Sequence, residues 1–402
     1  MKEPKIRFVG YNAEWKECIL EDCLEICIEL NSKNLYDKND VLSVSDEFGV
    51  VNQIKHLGRS YAGKSVAGYK VLKPHQIVYT KSPLRNKPYG IIKENTFQTG
   101  IVSVLYAVYN VKDYIYPNFI QRYFDPNSRI NRYLLPLVNK GAKNTMNISD
   151  ETALKGKICI PTSTVEQTEI CKYLGRIDTL ISASTSRLAS LKQIKAASLQ
   201  AMFPQEGETV PKLRFKGFEG EWEKAKADSI FKTFNEKNRP DLPVLSATQD
   251  KGMVTRESIG YNIFHDKANE ATYKHILTGQ FVIHLRSFQG GFAHSEYEGI
   301  VSPAYTIMDF RDKELHDDYY WRYVFMSNEF IKRLELVTYG IRDGRSISYD
   351  EFKDMTFKVP CKAEQRAIAS YFTNLDRQIT LQSQRLEKLK QIKAACLDKM
   401  FI

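Results

Sequence analysis

Leu191-Lys192-Gln193-Ile194-Lys195-Ala196-Ala197 occurs a second time, unchanged, at Leu389 to Ala395. Around that block, Glu166 to Phe203 aligns without a gap on Glu364 to Phe401, with 18 identities in 38 positions at an offset of 198. The echo extends to the rest of the chain. Pro4-Lys5-Ile6-Arg7-Phe8, closed by Trp15, returns as Pro211-Lys212-Leu213-Arg214-Phe215, closed by Trp222. Gly100-Ile101-Val102-Ser103 returns as Gly299-Ile300-Val301-Ser302, and Asn147-Ile148-Ser149 as Ser346-Ile347-Ser348. So many matches in one order mark an internal duplication, and 402 residues suit two such copies better than one domain.

Each copy closes on a stretch with coiled-coil spacing. Ile170, Leu174, Ile177, Ile181, Ser184, Leu188 and Leu191 step by four and three, and Ile368, Phe372, Leu375, Ile379, Gln382, Leu386 and Leu389 repeat those steps. That seam predicts a long helix whose stripe faces another helix. Pro161 and Pro204 bracket the first stretch, Pro360 precedes the second, and no proline lies inside either. At 1.5 Å per residue each makes a rod of roughly 57 Å, too long for one module to cover. The two rods are therefore expected to pack on each other, with Ser184 and Gln382 as polar register setters.

Before each rod the pattern changes to short apolar runs. Ile77 to Tyr79, Ile101 to Leu105, Lys157 to Ile160, Phe281 to Leu285 and Met355 to Val359 read as strands, and Asp317 to Leu336 as a helix. Tyr116 to Phe124 and Asn131 to Val138 read as helical or irregular. The fold class is thus α+β: two pseudo-symmetric globular modules separated by two long antiparallel coiled-coil helices. The expected boundaries are 1–161 and 222–360 for the modules, 162–205 and 361–402 for the helices, and 206–221 for an exposed connector.

The net charge of +10 suits a polyanionic partner. No run reaches the eighteen or so apolar residues of a membrane helix, so no membrane partner and a cytoplasmic location are expected. Seven cysteines include no Cys-x-x-Cys pair. Cys18, Cys23 and Cys27 could share a helix face, but no histidine with zinc spacing accompanies them, and they read as reduced apolar residues. Gly58-Arg59-Ser60-Tyr61-Ala62-Gly63-Lys64-Ser65 satisfies the letters of a phosphate-binding loop. Chemistry there needs a buried strand before it and a helix after it. Asn52 to Leu57 is no buried strand, and the Gly- and β-branched-rich run to Pro74 is a poor helix. Asn86-Lys87-Pro88-Tyr89 is a faint likeness to an adenine-methyltransferase loop, with Lys in place of the first Pro and no glycine-rich cofactor strand beside it. No catalytic or metal constellation is expected.

Recognition chemistry remains. Lys81, Arg85, Asn86 and Lys87 follow the strand that ends at Tyr79, and Arg286, Ser287 and Gln289 follow its counterpart near His284. Arg, Asn and Gln can pair with base edges bidentately, while Lys and Ser suit phosphates. A second matched pair of loops holds Lys143 and Asn144 in one copy and Arg342 and Arg345 in the other. Each precedes a hydroxyl residue, Ser149 or Ser348, placed to cap the following turn. These eleven residues are the candidate DNA contacts.

In this order the features resemble the specificity subunits of type I restriction–modification systems. The carrying residues are the Pro-Lys-Leu-Arg-Phe run at 211–215 with Trp222, Pro161…Glu166-Gln167…Ile170 with Pro360…Glu364-Gln365…Ile368, and the twin blocks before Met202-Phe203 and Met400-Phe401. The resemblance covers nearly the whole chain and is weakest in the modules. It implies two target recognition domains, each gripping one half of a bipartite, asymmetric site on double-stranded DNA, with the helix pair as a ruler. It also implies two methyltransferase subunits as partners, which modify adenine with S-adenosylmethionine, and restriction/translocase subunits that use ATP and Mg. None of those cofactors is expected in this chain. Rival readings are the specificity subunit of a related system with fused nuclease and methylase, a P-loop nucleotide-binding protein, and a coiled-coil adaptor without DNA specificity.

Overall fold

Two helices of 38 residues, Thr164–Ala201 and Lys362–Lys399, carry the duplicated heptads. The computed structural model describes residues 3–84, 86–140, 146–248, 251–259, 267–284, 291–337 and 347–402. The chain divides into two compact units, Met1–Thr185 with Arg385–Ile402, and Ser186–Gln384. Each long helix therefore gives one part of its length to each unit. In the first unit Asp178 pairs with Lys393 at 2.7 Å. In the second, Asp376 pairs with Lys195 at 2.5 Å. These bridges are equivalents at the 198-residue offset, with the helices exchanging roles. Within the first unit Ile170, Leu174 and Ile177 share a core with Cys396, Leu397 and Met400. Within the second, Tyr371 Oη bonds Ser198 Oγ while Asp376, one turn later, meets Lys195 three residues earlier, so the helices run antiparallel. The seam faces inward as its spacing predicts. Ile170, Leu174, Ile177, Leu191, Ile368, Phe372, Leu375 and Leu386 are buried, and so is the polar seam residue Ser184.

The first unit is built on a four-stranded antiparallel sheet in the order Leu24–Ile26, Ala107–Val111, Ile77–Tyr79, Ile92–Glu94. Both of its faces are covered, which explains why Ile77, Val78 and Tyr79 are all fully buried. Ile77 and Tyr79 point into the core under the helices Pro117–Phe124 and Asn127–Leu134. Val78 points to a smaller core under the hairpin Leu42–Ser45/Gly49–Asn52 and the pair Lys70–Leu72/Gly100–Val102. The second unit repeats the plan. Its sheet runs Phe231–Phe234, Thr306–Phe310, Phe281–Ile283, Phe292–His294, with the hairpin Leu245–Thr248/Gly252–Thr255 on one face. The duplicated Gly-Ile-Val-Ser run has a common cause. A Cβ on Gly100 would lie 2.5 Å from Asp40 O, and one on Gly299 would lie 2.6 Å from Pro243 O. Only glycine lets the neighbouring backbone come so close.

The motifs that echo most faithfully anchor helix to module. Arg7 grips both carboxylate oxygens of buried Glu166 at 2.7 and 2.9 Å, and Arg214 grips Glu364 at 2.8 Å twice. The next residue is a buried glutamine. Gln167 accepts from Tyr116 N and donates to Pro161 O; Gln365 accepts from Asp317 N and donates to Pro360 O. A buried glutamine must satisfy both ends of its amide, so this pattern fixes the helix start against one loop.

Several expectations need correction. Asp317 to Leu336 is not one helix but two, Asp318–Met326 and Asn328–Val337. Ser327 between them is extended (φ −70°, ψ 144°), and its Oγ accepts from Phe330 N, starting the second helix. The strand expected at Ile101–Leu105 is Gly100–Val102; Tyr106 N bonds Ser103 O in a turn that leaves Val104 and Leu105 exposed. Asn131–Val138, read as helical or irregular, is helical as far as Leu134, within the helix Asn127–Leu134 entered from Pro126. The strand placed at Phe281–Leu285 is Phe281–Ile283. Cys18, Cys23 and Cys27 share no helix: Cys18 lies in the strand Lys16–Ile19, and Cys27 belongs to a different core from Cys23. The connector 206–221 is largely exposed, and it is held at Arg214 by Glu364 and at Glu208 O by Lys358.

Candidate nucleic-acid interface

The loop after Ile77–Tyr79 turns on itself tightly. Leu84 and Lys87 exchange both backbone hydrogen bonds at 3.0 Å, and Gly90 N bonds Lys87 O. Gly90 has φ +79°, and a Cβ there would meet Thr80 Oγ1 at 2.7 Å, so glycine is required for the return strand to start. Asn86 is exposed at the turn, and its carbonyl accepts from Asn127 Nδ2. Lys81 adopts a left-handed backbone (φ 48°), and its ammonium lies 2.5 Å from Asp150 Oδ1. Asp150 also binds Lys70. Burial opposes ionisation of Asp150, but the hydrogen bonds from Lys70 and Lys81 outweigh it and hold its carboxyl below the ordinary aspartate range.

Asp150 follows the arm Met146–Asn147, which pairs antiparallel with Asn139–Lys140, so Lys81 is tied to the chain just after that pair. Ser149 Oγ accepts from Thr152 N, as its position predicts. Lys87 lies 3.5 Å from Asp46, which belongs to the Leu42–Ser45/Gly49–Asn52 hairpin turn, and donates to Asp125 O.

From Lys87 a chain of charges runs inward to the helix pair. Lys93 lies 3.5 Å from Asp46 and 3.1 Å from Asp125; Arg122 lies 3.5 Å from Asp125 and 2.6 Å from Asp178; Asp178 holds Lys393. Lys93 and Arg122 are both buried. Burial opposes ionisation of Asp178, yet Lys393 and Arg122 outweigh it and hold its carboxyl below the ordinary range. Sequence inspection missed this ladder because its rungs join residues far apart in the chain.

Arg85, Lys143, Asn144, Arg286, Ser287, Gln289, Arg342 and Arg345 lie outside the described residues. Their supports do not. Ile283 pairs with Phe292, and His284 N bonds Gly291 O, so both ends of the 285–290 segment are pinned to the sheet. Ser348 caps the helix Tyr349–Lys353 in a reciprocal box with Glu351. The letters of a phosphate-binding loop at Gly58–Ser65 sit in a different setting. Gly58 ends the helix Gln53–Leu57 with a left-handed cap (φ 77°), and no helix follows before the strand Lys70–Leu72. The geometry that would aim a helix N-terminus at phosphates is absent from that segment.

Residues 219–391 match the family model described as the type I restriction modification DNA specificity domain. The chain carries a type I DNA specificity domain. The first unit repeats the strand order of the four-stranded sheet in the unit that holds most of this match. The S subunit of the type I restriction-modification system from M. genitalium has the same fold, with a TM-score of 0.58 at 12% identity over 100% of this chain and 99% of its own. The HsdS subunit from Thermoanaerobacter tengcongensis aligns over 98% of both chains, with 14% identity and a TM-score of 0.49. A chain from a structure of the assembly and conformational transition of a type I R-M system aligns over 96% of this chain and 97% of its own, with 15% identity and a TM-score of 0.49. No curated protein matches the chain in sequence. Among the described residues no helix is long and apolar enough to cross a membrane.

Proposed function

We propose that this chain is the sequence-specificity subunit of a type I restriction–modification enzyme, without chemistry of its own. One observation carries the reading: a specificity domain matched over 219–391 recurs as a second unit of identical strand order, with unlike loops on like scaffolds. Like scaffolds with unlike loops suit a bipartite, asymmetric duplex site, each unit reading one half. In each unit the loop between the third strand of the four-stranded sheet and its edge strand carries the base-reading side chains, Arg85 and Asn86 in one, Arg286 and Gln289 in the other. Lys81, Lys87, Lys143, Asn144, Ser287, Arg342 and Arg345 complete the DNA contacts. Base-edge pairing by Arg, Asn and Gln sets the sequence, and lysines and hydroxyls set position.

The long helices carry the subunit's other role, docking of two methyltransferase subunits and of restriction/translocase subunits. Those partners hold S-adenosylmethionine, ATP and Mg, and adenine leaves the stack to reach them. The test is methylome sequencing of cells given this chain with its methyltransferase partner. A single split motif, methylated on adenine in each half, is expected; methylation without sequence preference contradicts the reading.

A further inference from the structure

The Gly58–Ser65 segment is left unexplained by the reading above, and it lies in an unusual electrostatic setting. From Phe48 to Lys93 there are nine Lys or Arg residues and no Asp or Glu. The matching stretch of the second copy, Lys251 to Ala293, has five basic and three acidic residues. In the first stretch Lys70, Lys73, Lys81, Lys87 and Lys93 each meet a carboxylate supplied from elsewhere in the unit. Lys55, Arg59 and Lys64 meet none among the described residues, and all three are exposed.

These cations stand on a fixed support beside two exposed aromatic rings. Asn52 caps the short helix bearing Lys55, and Gln53 ties the segment down: its Oε1 accepts from Tyr61 N at 2.7 Å and its Nε2 donates to Ser43 Oγ at 3.1 Å. Ala62 and Val66 are packed against Val41, Val71 and Ile101. The Arg59 guanidinium lies 4.7 Å over the ring of Tyr61, and Phe48 packs on His56 at 5.3 Å. Tyr61 and Phe48 nevertheless remain 58% and 60% exposed, large apolar areas for a free surface. The Phe48 turn also carries Asp46, which holds Lys87, so this surface is continuous with the candidate interface. Both acids of that turn, Asp46 and Glu47, are exposed, but Asp46 is matched by Lys87 and Lys93, and the balance stays positive.

We infer that Lys55, Arg59 and Lys64, with Tyr61 and Phe48 beside them, grip the phosphodiester backbone of duplex DNA next to the half-site read by the first unit. This rests on the proposed specificity-subunit function and adds to it a sequence-independent share of affinity on the side of the first unit. Cations in contact with phosphates release counterions, so log K falls with log salt at a slope of about 0.9 per phosphate. A surface of this kind fixes position and carries no base information.

The test is duplex binding by the full chain across a salt series, using a random-sequence duplex and the motif found by methylome sequencing. Lys55→Gln/Arg59→Gln/Lys64→Gln is expected to lower the salt slope by roughly 2 to 3 on both duplexes. The methylated motif stays the same. Tyr61→Ala should weaken binding and leave the slope unchanged. An unaltered slope in the triple variant, with the motif still selected, overturns the surface and leaves the specificity reading intact. Loss of the motif in the triple variant, with the slope kept, overturns it by making these residues readers. Stoichiometric binding of ATP that the triple variant abolishes assigns the cations to a free nucleotide and also overturns it. Failure of the unaltered chain to bind any duplex overturns the reading and the surface together.

Discussion

The two units share one scaffold and the same Arg–Glu and Gln anchors to the long helices, and differ in the chemistry that packs beside those anchors. In the first unit Arg122 meets Asp178, and the charged ladder behind it runs out to Lys87. Tyr323 stands where Arg122 stands, since the anchoring glutamines bond Tyr116 and Asp317 at the same offset of 201. Its hydroxyl donates to Asp376 at 2.9 Å, and the ladder goes no further. Aromatic packing takes over. Phe231 alone touches Phe281, Phe310, Trp321, Phe325 and Phe352 with centroids 5.0 to 6.2 Å apart. The first unit hydrogen-bonds Trp15 Nε1 to Glu166, whereas in the second Trp222 Nε1 and Tyr320 Oη have no partner among the described residues. Duplication thus kept strand order and helix anchors while the cores diverged. Shape is held by anchors common to both copies, and each core is free to be filled its own way.

The sharpest way to break the comparison is to remove its aromatic side. Phe231→Ala empties a fully buried, five-ring contact and should cost about 3–5 kcal/mol, read as a lowered urea midpoint. Next come the anchors, where the units should behave alike. Glu166→Ala and Glu364→Ala each leave an arginine without its bidentate partner, at a cost of about 3 kcal/mol apiece by the same measurement, with about 1 kcal/mol more for Glu166, which also accepts from Trp15. A larger loss at Glu364 would mean that the Arg–Glu anchors, too, have diverged.

The duplication, the helices and the inward seam were legible in the sequence because heptads are local and were copied almost unchanged. The anchors were visible as echoes of Arg7, Arg214, Glu166 and Glu364, but their pairing joins residues about 150 apart and leaves no periodic trace. Ser327 escaped notice because the apolar run Val324-Phe325-Met326 continues the helical pattern up to the break. Loop positions could be named as candidates from residue type alone. The acid-free run from Phe48 to Lys93 was a signal in plain view, hidden behind the phosphate-loop letters inside it.

Smaller effects separate the polar chemistries. Asp178→Asn strips the charge facing buried Arg122 and Lys393 and should cost about 2 kcal/mol. Asp376→Asn strips the charge facing Lys195 but leaves an amide that still accepts from Tyr323, with no buried arginine stranded, and should cost about 1 kcal/mol. The depressed carboxyl of Asp178 also sets a pH dependence. Its stabilisation is complete above the ordinary aspartate value of 3.8 and is lost as pH falls through the lower native value. The Asp178→Asn variant should therefore lose less stability on acidification below about pH 4 than the unaltered chain. Smallest is a hydroxyl pair. Tyr133→Phe breaks a 2.8 Å bond to Ala153 O and should cost about 1 kcal/mol. Tyr320→Phe removes an unpartnered hydroxyl and should be close to neutral, as Phe119 already is at the matching position of the first unit.

The central claim is that each unit reads its own half of one DNA site on a common scaffold. Replacing residues 16–160 by the corresponding module of another specificity chain, and sequencing the methylome of cells carrying the hybrid with its partners, tests it most directly. One half of the methylated motif should change to that of the donor while the other half persists. A motif that changes in both halves, or in neither, would contradict the account.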